Sequence, residues 1–240
     1  MQPKPINQPF QQSASAAQLK AGFAALRFDG PLEKDFREAY TQESLPRGRL
    51  SGMIALVLLL GVTCLSFLLG GDDDQSINRM RLGVLLPILL GALVVFYHPA
   101  LQRFYMSTAT IAVSVFGLVS CYNGIQASID GKSYLVAGLV LIIVYPCLFL
   151  GMFFNRAATL AAMLVAAFLG MGLFMGLDVN TLFYSTAILA AAATIGAHAC
   201  YNLEYAHRIN FLETRMLNEL AERDGLTGLY NRRIFDDYIQ

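Results

Sequence analysis

Residues 50–69 read LSGMIALVLLLGVTCLSFLL, a run without a single charged side chain. At about 1.5 Å per residue, a helix of roughly 20 residues covers about 30 Å, the hydrocarbon thickness of a bilayer. The apolar residues are continuous, with none of the period-two alternation that marks a barrel strand. A helix is then the conformation that satisfies each backbone group in the absence of water. Five further stretches meet or approach the same test: Leu82–Tyr97, Tyr105–Tyr122, Tyr134–Phe154, Ala157–Leu177 and Leu182–Cys200. The expected fold class is an all-α integral membrane protein, with a six-helix transmembrane bundle occupying residues 47–200. Leu82–Tyr97 is the shortest span and carries Pro87, which membrane helices tolerate when neighbours re-satisfy the freed carbonyl.

Composition supports lipid as the solvent. Of 240 residues, 56% are hydrophobic and 14% charged, against about a quarter charged in soluble domains. The net charge is zero, so there is no electrostatic footprint for nucleic acid and no such partner is expected. Cys64, Cys121, Cys147 and Cys200 all fall inside apolar runs at irregular spacing. With no CxxC or Cys/His cluster, they read as small buried hydrophobes rather than as a disulfide or zinc framework, and no metal is assigned to these residues.

Basic residues in short loops set the orientation. Arg47 and Arg49 precede the first span, Arg103 follows the second, and Arg156 follows the fourth; Arg208, Arg215 and Arg223 come after the sixth. The alternate loops hold Asp72–Asp74, Asp130 with Lys132, and Asp178, with Arg79 and Arg81 as exceptions. The balance places both termini in the cytoplasm. Asn155-Arg156 is expected to be a tight turn between antiparallel neighbours, and Gly172/Gly176 a small-xxx-small pair that lets the fifth span sit inside the bundle.

Outside the spans, residues 1–15 are polar and rich in Pro and Gln, the composition of a disordered tail, with no apolar signal-peptide core. Residues 16–46 hold two amphipathic helices. Ala16–Phe28 aligns Leu19, Phe23 and Leu26, and Glu33–Ser44, following Pro31, aligns Phe36 with Tyr40. Both can lie on the inner membrane surface or pack against the ends of the bundle. Beyond Cys200 the pattern turns amphipathic without a Gly or Pro break: residues 201–223 read YNLEYAHRINFLETRMLNELAER. Tyr205, Ile209, Leu212 and Met216 follow 4-3-4 spacing, with Leu220 one residue late. This is the seam of a signalling helix suited to parallel homodimerisation.

Polar groups at membrane depth are candidates for sensing. His198 lies near the inner end of the sixth span, close to Cys200; Asn123, with Tyr122 and Gln126, flanks the outer end of the third; Tyr145-Pro146 interrupts the fourth, where a freed carbonyl can face a cavity. The outer loops are too short for an extracytoplasmic binding domain, so a signal is expected to act within the bundle or at its rim.

Residues 224–240 read DGLTGLYNRRIFDDYIQ. Gly225 and Gly228 break the helix, Asp224 and Thr227 can bond nearby backbone, and Leu226 and Leu229 supply apolar anchors. Asn231 is placed to cap a new helix beginning at Arg232 and Arg233. Physics alone gives a rigid helix–turn–helix joint. The string D-x-L-T-x-L-x-N-R-R, carried by Asp224, Leu226, Thr227, Leu229, Asn231, Arg232 and Arg233 with Phe235 beyond, resembles the opening signature of GGDEF domains. The resemblance implies the start of an α/β diguanylate cyclase domain that condenses two GTP into cyclic di-GMP with Mg²⁺, in a homodimer at the bacterial cytoplasmic (inner) membrane. It also implies that the metal-binding aspartate and the GGDEF loop would lie past Gln240, so residues 1–240 hold no catalytic residue and bind no Mg²⁺ themselves. Gly70-Gly71-Asp72-Asp73 looks like a GGDEF loop but lacks the Glu-Phe and follows a span on the outer side, where a solvated loop is expected. Two other readings stay open: a degenerate GGDEF regulatory protein without cyclase activity, and a six-span adenylyl cyclase front end, against which the DGLTGLYNRR string speaks.

Overall fold

The computed structural model describes residues 14–69, 75–131 and 136–221. The expected tail at 1–15, apart from its last two residues, the acidic loop Asp72–Asp74, the start of the fourth span at Tyr134, and the whole Asp224–Gln240 segment lie outside these residues. Among the described residues the chain is all-helical. Its helices are α1 (Ala14–Ala21), α2 (Pro31–Leu69), α3 (Gln75–Met80), α4 (Leu86–Tyr97), α5 (Tyr105–Ile129), α6 (Val136–Leu148), α7 (Phe154–Phe174) and α8 (Val179–Ala221), with short 3₁₀ turns at Ala24–Leu26 and Pro99–Phe104. Thr41–Tyr201 form one compact unit, the larger; the described parts of Met1–Tyr40 and Asn202–Gln240 form a second, terminal unit. Both α2 and α8 contribute to each.

Among the described residues, five helical stretches are long and apolar enough to cross a membrane: Pro31–Leu68, Gln75–Tyr97, Pro99–Ile129, Phe154–Phe174 and Val179–Glu219. Their outer faces stay apolar: Leu68 is 75% exposed, Phe174 92% and Tyr184 76%. Large apolar side chains exposed in this number are unstable against water and suited to lipid. The remaining expected span, Tyr134–Phe154, appears as the shorter helix α6, about 20 Å long at the helical rise. It stops at Leu148, and residues 149–153 are not helical.

Several boundaries differ from the expectation. Ala16–Phe28 is not one helix, because Gly22, Ala25 and Leu26 all take positive φ. The amphipathic helix at 33–44 and the first span are a single helix, with Pro46 inside it; proline costs one backbone bond and need not end a helix whose faces are packed. Pro87 likewise does not shorten its span. It has no N–H for the carbonyl of Gly83, and the preceding turn Arg81–Leu85 widens to a π-helix, the Leu86 N–H reaching the Arg81 carbonyl. Asn155 and Arg156 are not a turn but the first turn of α7. The connection is Phe149–Phe153, where Gly151 has φ +60°.

In the larger unit, α5, α6, α7 and the first part of α8 share a core that includes Ile125, Leu139, Leu164, Phe168 and Leu189. α7 takes part in this core, and of its Gly172/Gly176 pair Gly172 makes the close approach, to α8. A Cβ at Gly172 would collide with Leu182. Gly176, at φ +75°, ends the helix, with the Leu177 N–H bonding back to the Gly172 carbonyl at 3.0 Å. Gly117 of α5 supplies another close approach, where a Cβ would overlap Leu164 of α7. Asp178 starts α8 as its N-cap, accepting the Thr181 N–H at 3.0 Å. That N–H holds the Asp178 carboxyl below its ordinary range.

In the terminal unit, the aromatic faces read from the sequence turn inward. Phe28, Phe36 and Tyr40 are buried, and Phe36 meets Phe211 edge-on at 5.5 Å between ring centres. Packing against the last part of α8, rather than lying on a membrane surface, is what these side chains do. The same packing alters the reading of the seam: Leu212 is fully buried inside the chain, while Tyr205 is half exposed and touches Phe23.

Candidate functional site

The interruption at Phe149–Phe153 leaves carbonyls without helical partners, in a segment where Leu150, Met152 and Phe153 are buried. Backbone of this kind survives at membrane depth only if other groups satisfy it. Three elements of the larger unit do so. Ser51 of α2 donates to the Phe149 carbonyl at 3.0 Å, Tyr105 of α5 to the Leu150 carbonyl at 2.5 Å, and the Cys200 thiol of α8 to the Met152 carbonyl at 3.5 Å. Tyr145 of α6 donates to the Ser51 carbonyl at 2.6 Å. Gly151 approaches α2 so closely that a Cβ would overlap Ser44, and a Cβ at Gly48 would overlap the Tyr105 ring. The break is therefore a junction of four helices, tied by three side-chain hydroxyls and one thiol.

Beside this junction lies an elongated apolar cavity of about 290 Å³, walled by α2, the π-turn with α4, α5 and α6. Its near end holds Gly52, Phe96, Ala109 and Tyr145, and its far end Val62, Arg81, Ser120 and Gly138. The near end is fixed by contacts: Gly52 against Leu93, Phe96 edge-on to Tyr105 at 4.8 Å, and Arg49 donating to the Phe96 carbonyl at 2.9 Å. At the far end Arg81 donates to Asn78 at 3.1 Å.

The residues singled out for sensing fare differently. Tyr145 lines the cavity and joins the junction; Pro146 follows it and is buried, but the helix runs through it to Leu148. Pro146 has no N–H for the Ile142 carbonyl, and Ile142 lies in the cavity wall. Asn123 is half-buried on α5, two residues after buried Cys121 and away from the cavity lining. His198 is exposed on α8, whereas Cys200 points inward, so the two do not converge. Among the described residues no group of three or more His, Cys, Asp and Glu side chains is placed to hold a metal ion.

Compared with models of known families, with curated proteins and with solved structures, the chain matches none. The reading of function therefore rests on residues and geometry.

Sequence reasoning missed the second site, in the terminal unit. Arg208 is 1% exposed, with its guanidinium between the rings of Phe36 and Phe28, at 4.2 Å and 4.9 Å from their centroids. It bonds Glu33 through both terminal nitrogens, at 2.8 Å and 3.3 Å, and Glu204 at 2.8 Å and 3.0 Å. Glu33 also accepts the Phe28 N–H at 2.9 Å and Arg37 at 2.7 Å, so two carboxylates face two guanidinium groups. Burial pushes the Glu33 carboxyl up, but Arg208, the Phe28 N–H and Arg37 outweigh it and hold the group at about 2. Arg215 pairs with Asp35 at 2.7 Å nearby. One signal was legible: Glu204, Arg208 and Leu212 recur every four residues, a stripe in which Glu precedes Arg in the favourable order.

Proposed function

We propose that this chain is the membrane-embedded sensory part of a GGDEF-type signalling protein, which relays a signal from its helical bundle to a diguanylate cyclase domain. The observation that carries the reading is α8, one helix from Val179 to Ala221. It leads within three residues to Asp224, where the DGLTGLYNRR signature begins. A helix without a break transmits a shift along its axis, which a flexible linker does not.

In this reading α6, with residues 149–153 beyond its end, makes a sixth crossing. An even number of crossings, with the basic loops inside, keeps both termini in the cytoplasm of a bacterium, where GTP and Mg²⁺ are found. The signal acts at the cavity and its four-helix junction, since Tyr145 and the Phe149–Phe153 carbonyls couple α2, α5, α6 and α8 there. Homodimerisation runs along α8 beyond Tyr201, on the side left uncovered by the chain itself, where Leu203 and Leu217 are exposed.

The test is cellular cyclic di-GMP. Expression of the complete reading frame that carries this sequence should raise it, and residues 1–240 alone should not. No rise with the complete frame would favour the degenerate, non-cyclase alternative.

A further inference from the structure

Two of the four cysteines stand apart from the others. Cys64 is exposed, and the Cys121 thiol donates to the Leu164 carbonyl of α7 at 3.8 Å. Cys147 and Cys200 are both buried, and their thiols are hydrogen-bonded to each other between α6 and α8. The contact is built into both helices. Gly196 lies four residues before Cys200, on the same face of α8. A Cβ there would come within 3.4 Å of the Cys147 Sγ and 3.7 Å of the Val144 Cα, so glycine lets the two backbones approach at this level. A disulfide needs its sulfurs at about 2.05 Å and its Cβ atoms at about 3.5–4.5 Å, a short step for thiols that already touch.

The pair also sits at the edge of the break. Cys147 is the last residue but one of α6, and Cys200 donates to the Met152 carbonyl at 3.5 Å. Leu148 and Phe149, next along the chain, are exposed on the apolar surface, which puts Cys147 one residue from lipid. An uncharged oxidant dissolves there, and the disulfide it would form is as uncharged as the thiols, so apolar surroundings do not oppose the product.

We infer that Cys147 and Cys200 form a redox-active dithiol, which a hydroperoxide converts to a disulfide joining α6 to α8. One thiol attacks a peroxide oxygen and the O–O bond breaks. The thiol proton leaves on the departing oxygen, as an alcohol or, from hydrogen peroxide, as water. The second thiol then displaces the oxygen of the sulfenic acid, giving the S–S bond and one water. The two sulfurs lose two electrons in all, and the peroxide gains them. Oxidation removes the S–H that Cys200 donates to the Met152 carbonyl, so a hydrogen bond from α8 to the break gives way to a covalent bond from α8 to α6. The chemistry goes beyond the cyclase reading and does not depend on it.

The test uses the whole chain, purified reduced, placed in phosphatidylcholine nanodiscs and exposed to hydrogen peroxide or to cumene hydroperoxide. After denaturing alkylation and digestion, mass spectrometry should find the peptides of Cys147 and Cys200 joined, and dithiothreitol should separate them. The faster of the two reagents tells whether the oxidant arrives through water or through lipid. Cys147→Ser and Cys200→Ser each keep a donor of similar size, and each should abolish the link while the chain elutes as the parent does. Gly196→Ala holds the helices apart at this level and should slow linkage about tenfold. The inference is overturned if Cys64 is oxidised while Cys147 and Cys200 persist as thiols in the folded chain. It is equally overturned if the two are joined only after denaturation.

Discussion

A guanidinium keeps its charge at any pH a protein survives, so Arg208 must find its compensation in the fold. It does so in Glu33, Glu204 and two aromatic faces, and each partner depends on the others. Replacing Arg208 with Met takes from the buried carboxylates of Glu33 and Glu204 the guanidinium they share. The expected cost is about 3–5 kcal/mol, read as a lower midpoint for thermal exposure of the terminal unit to protease. Adding Glu33→Met and Glu204→Met to that variant should recover most of the loss, because a buried ion pair and a packed apolar replacement are often close in free energy. The pH dependence has a defined sign. Glu33 titrates at about 2 in the folded chain against 4.5 ordinarily. Its contribution is thus complete above about pH 4.5 and declines as pH falls toward 2. Protease protection of the terminal unit measured across that interval should decline in the parent, and decline less in Glu33→Gln. Tyr105 is the corresponding residue of the larger unit. Tyr105→Phe removes the donor to the Leu150 carbonyl and should cost about 1–3 kcal/mol, with the ring packing against Gly48 and Phe96 retained.

At the scale of elements, the break between α6 and α7 depends on Gly151. Its φ of +60° costs an L-residue about 1–2 kcal/mol, and a Cβ there also meets Ser44. Gly151→Ala should therefore lower the thermal midpoint of the purified chain, and Ser44→Gly in the same chain should restore only the steric part. This break also marks how far the sequence could be read. The apolar length of Leu50–Leu69 and its counterparts gave the helices directly, because lipid leaves the backbone little choice. The position of the break was not legible: Asn155-Arg156 has turn-like polarity, while Phe149-Leu150-Gly151 is apolar and is held open by hydroxyls from distant helices. Tyr145 was legible as a polar group beside proline in a span. Ser51 and Tyr105 were not, because a serine or tyrosine at the edge of an apolar run reads as an interfacial residue until its partner is known. Arg208 counted only among the basic residues that follow the sixth span, since nothing local indicates that a segment 175 positions away supplies its counter-charge.

For the whole molecule, the number of crossings is the statement with the widest reach. Single cysteines placed at Asp130 and Asp178, in a background with the four native cysteines replaced by Ala, should react with an impermeant maleimide from outside intact cells. Those at Gln102 and Asn155 should react only after permeabilisation. Reaction of Asn155 from outside would mean that α6 does not cross, and would leave the odd count of five.

The Arg208–Glu33 pair also has a consequence in time. Its partners are made 175 residues apart, and synthesis at about 5–20 residues per second separates them by roughly 10–35 s. Until residue 208 leaves the ribosome, Phe28, Phe36 and Glu33 have no partner from α8, although α2 beyond them is already available for insertion. The beginning of the chain is thus completed only after the apolar helices have been made. Nascent chains arrested before residue 204 should be cut by protease within residues 16–40, and chains long enough to free residue 215 should resist.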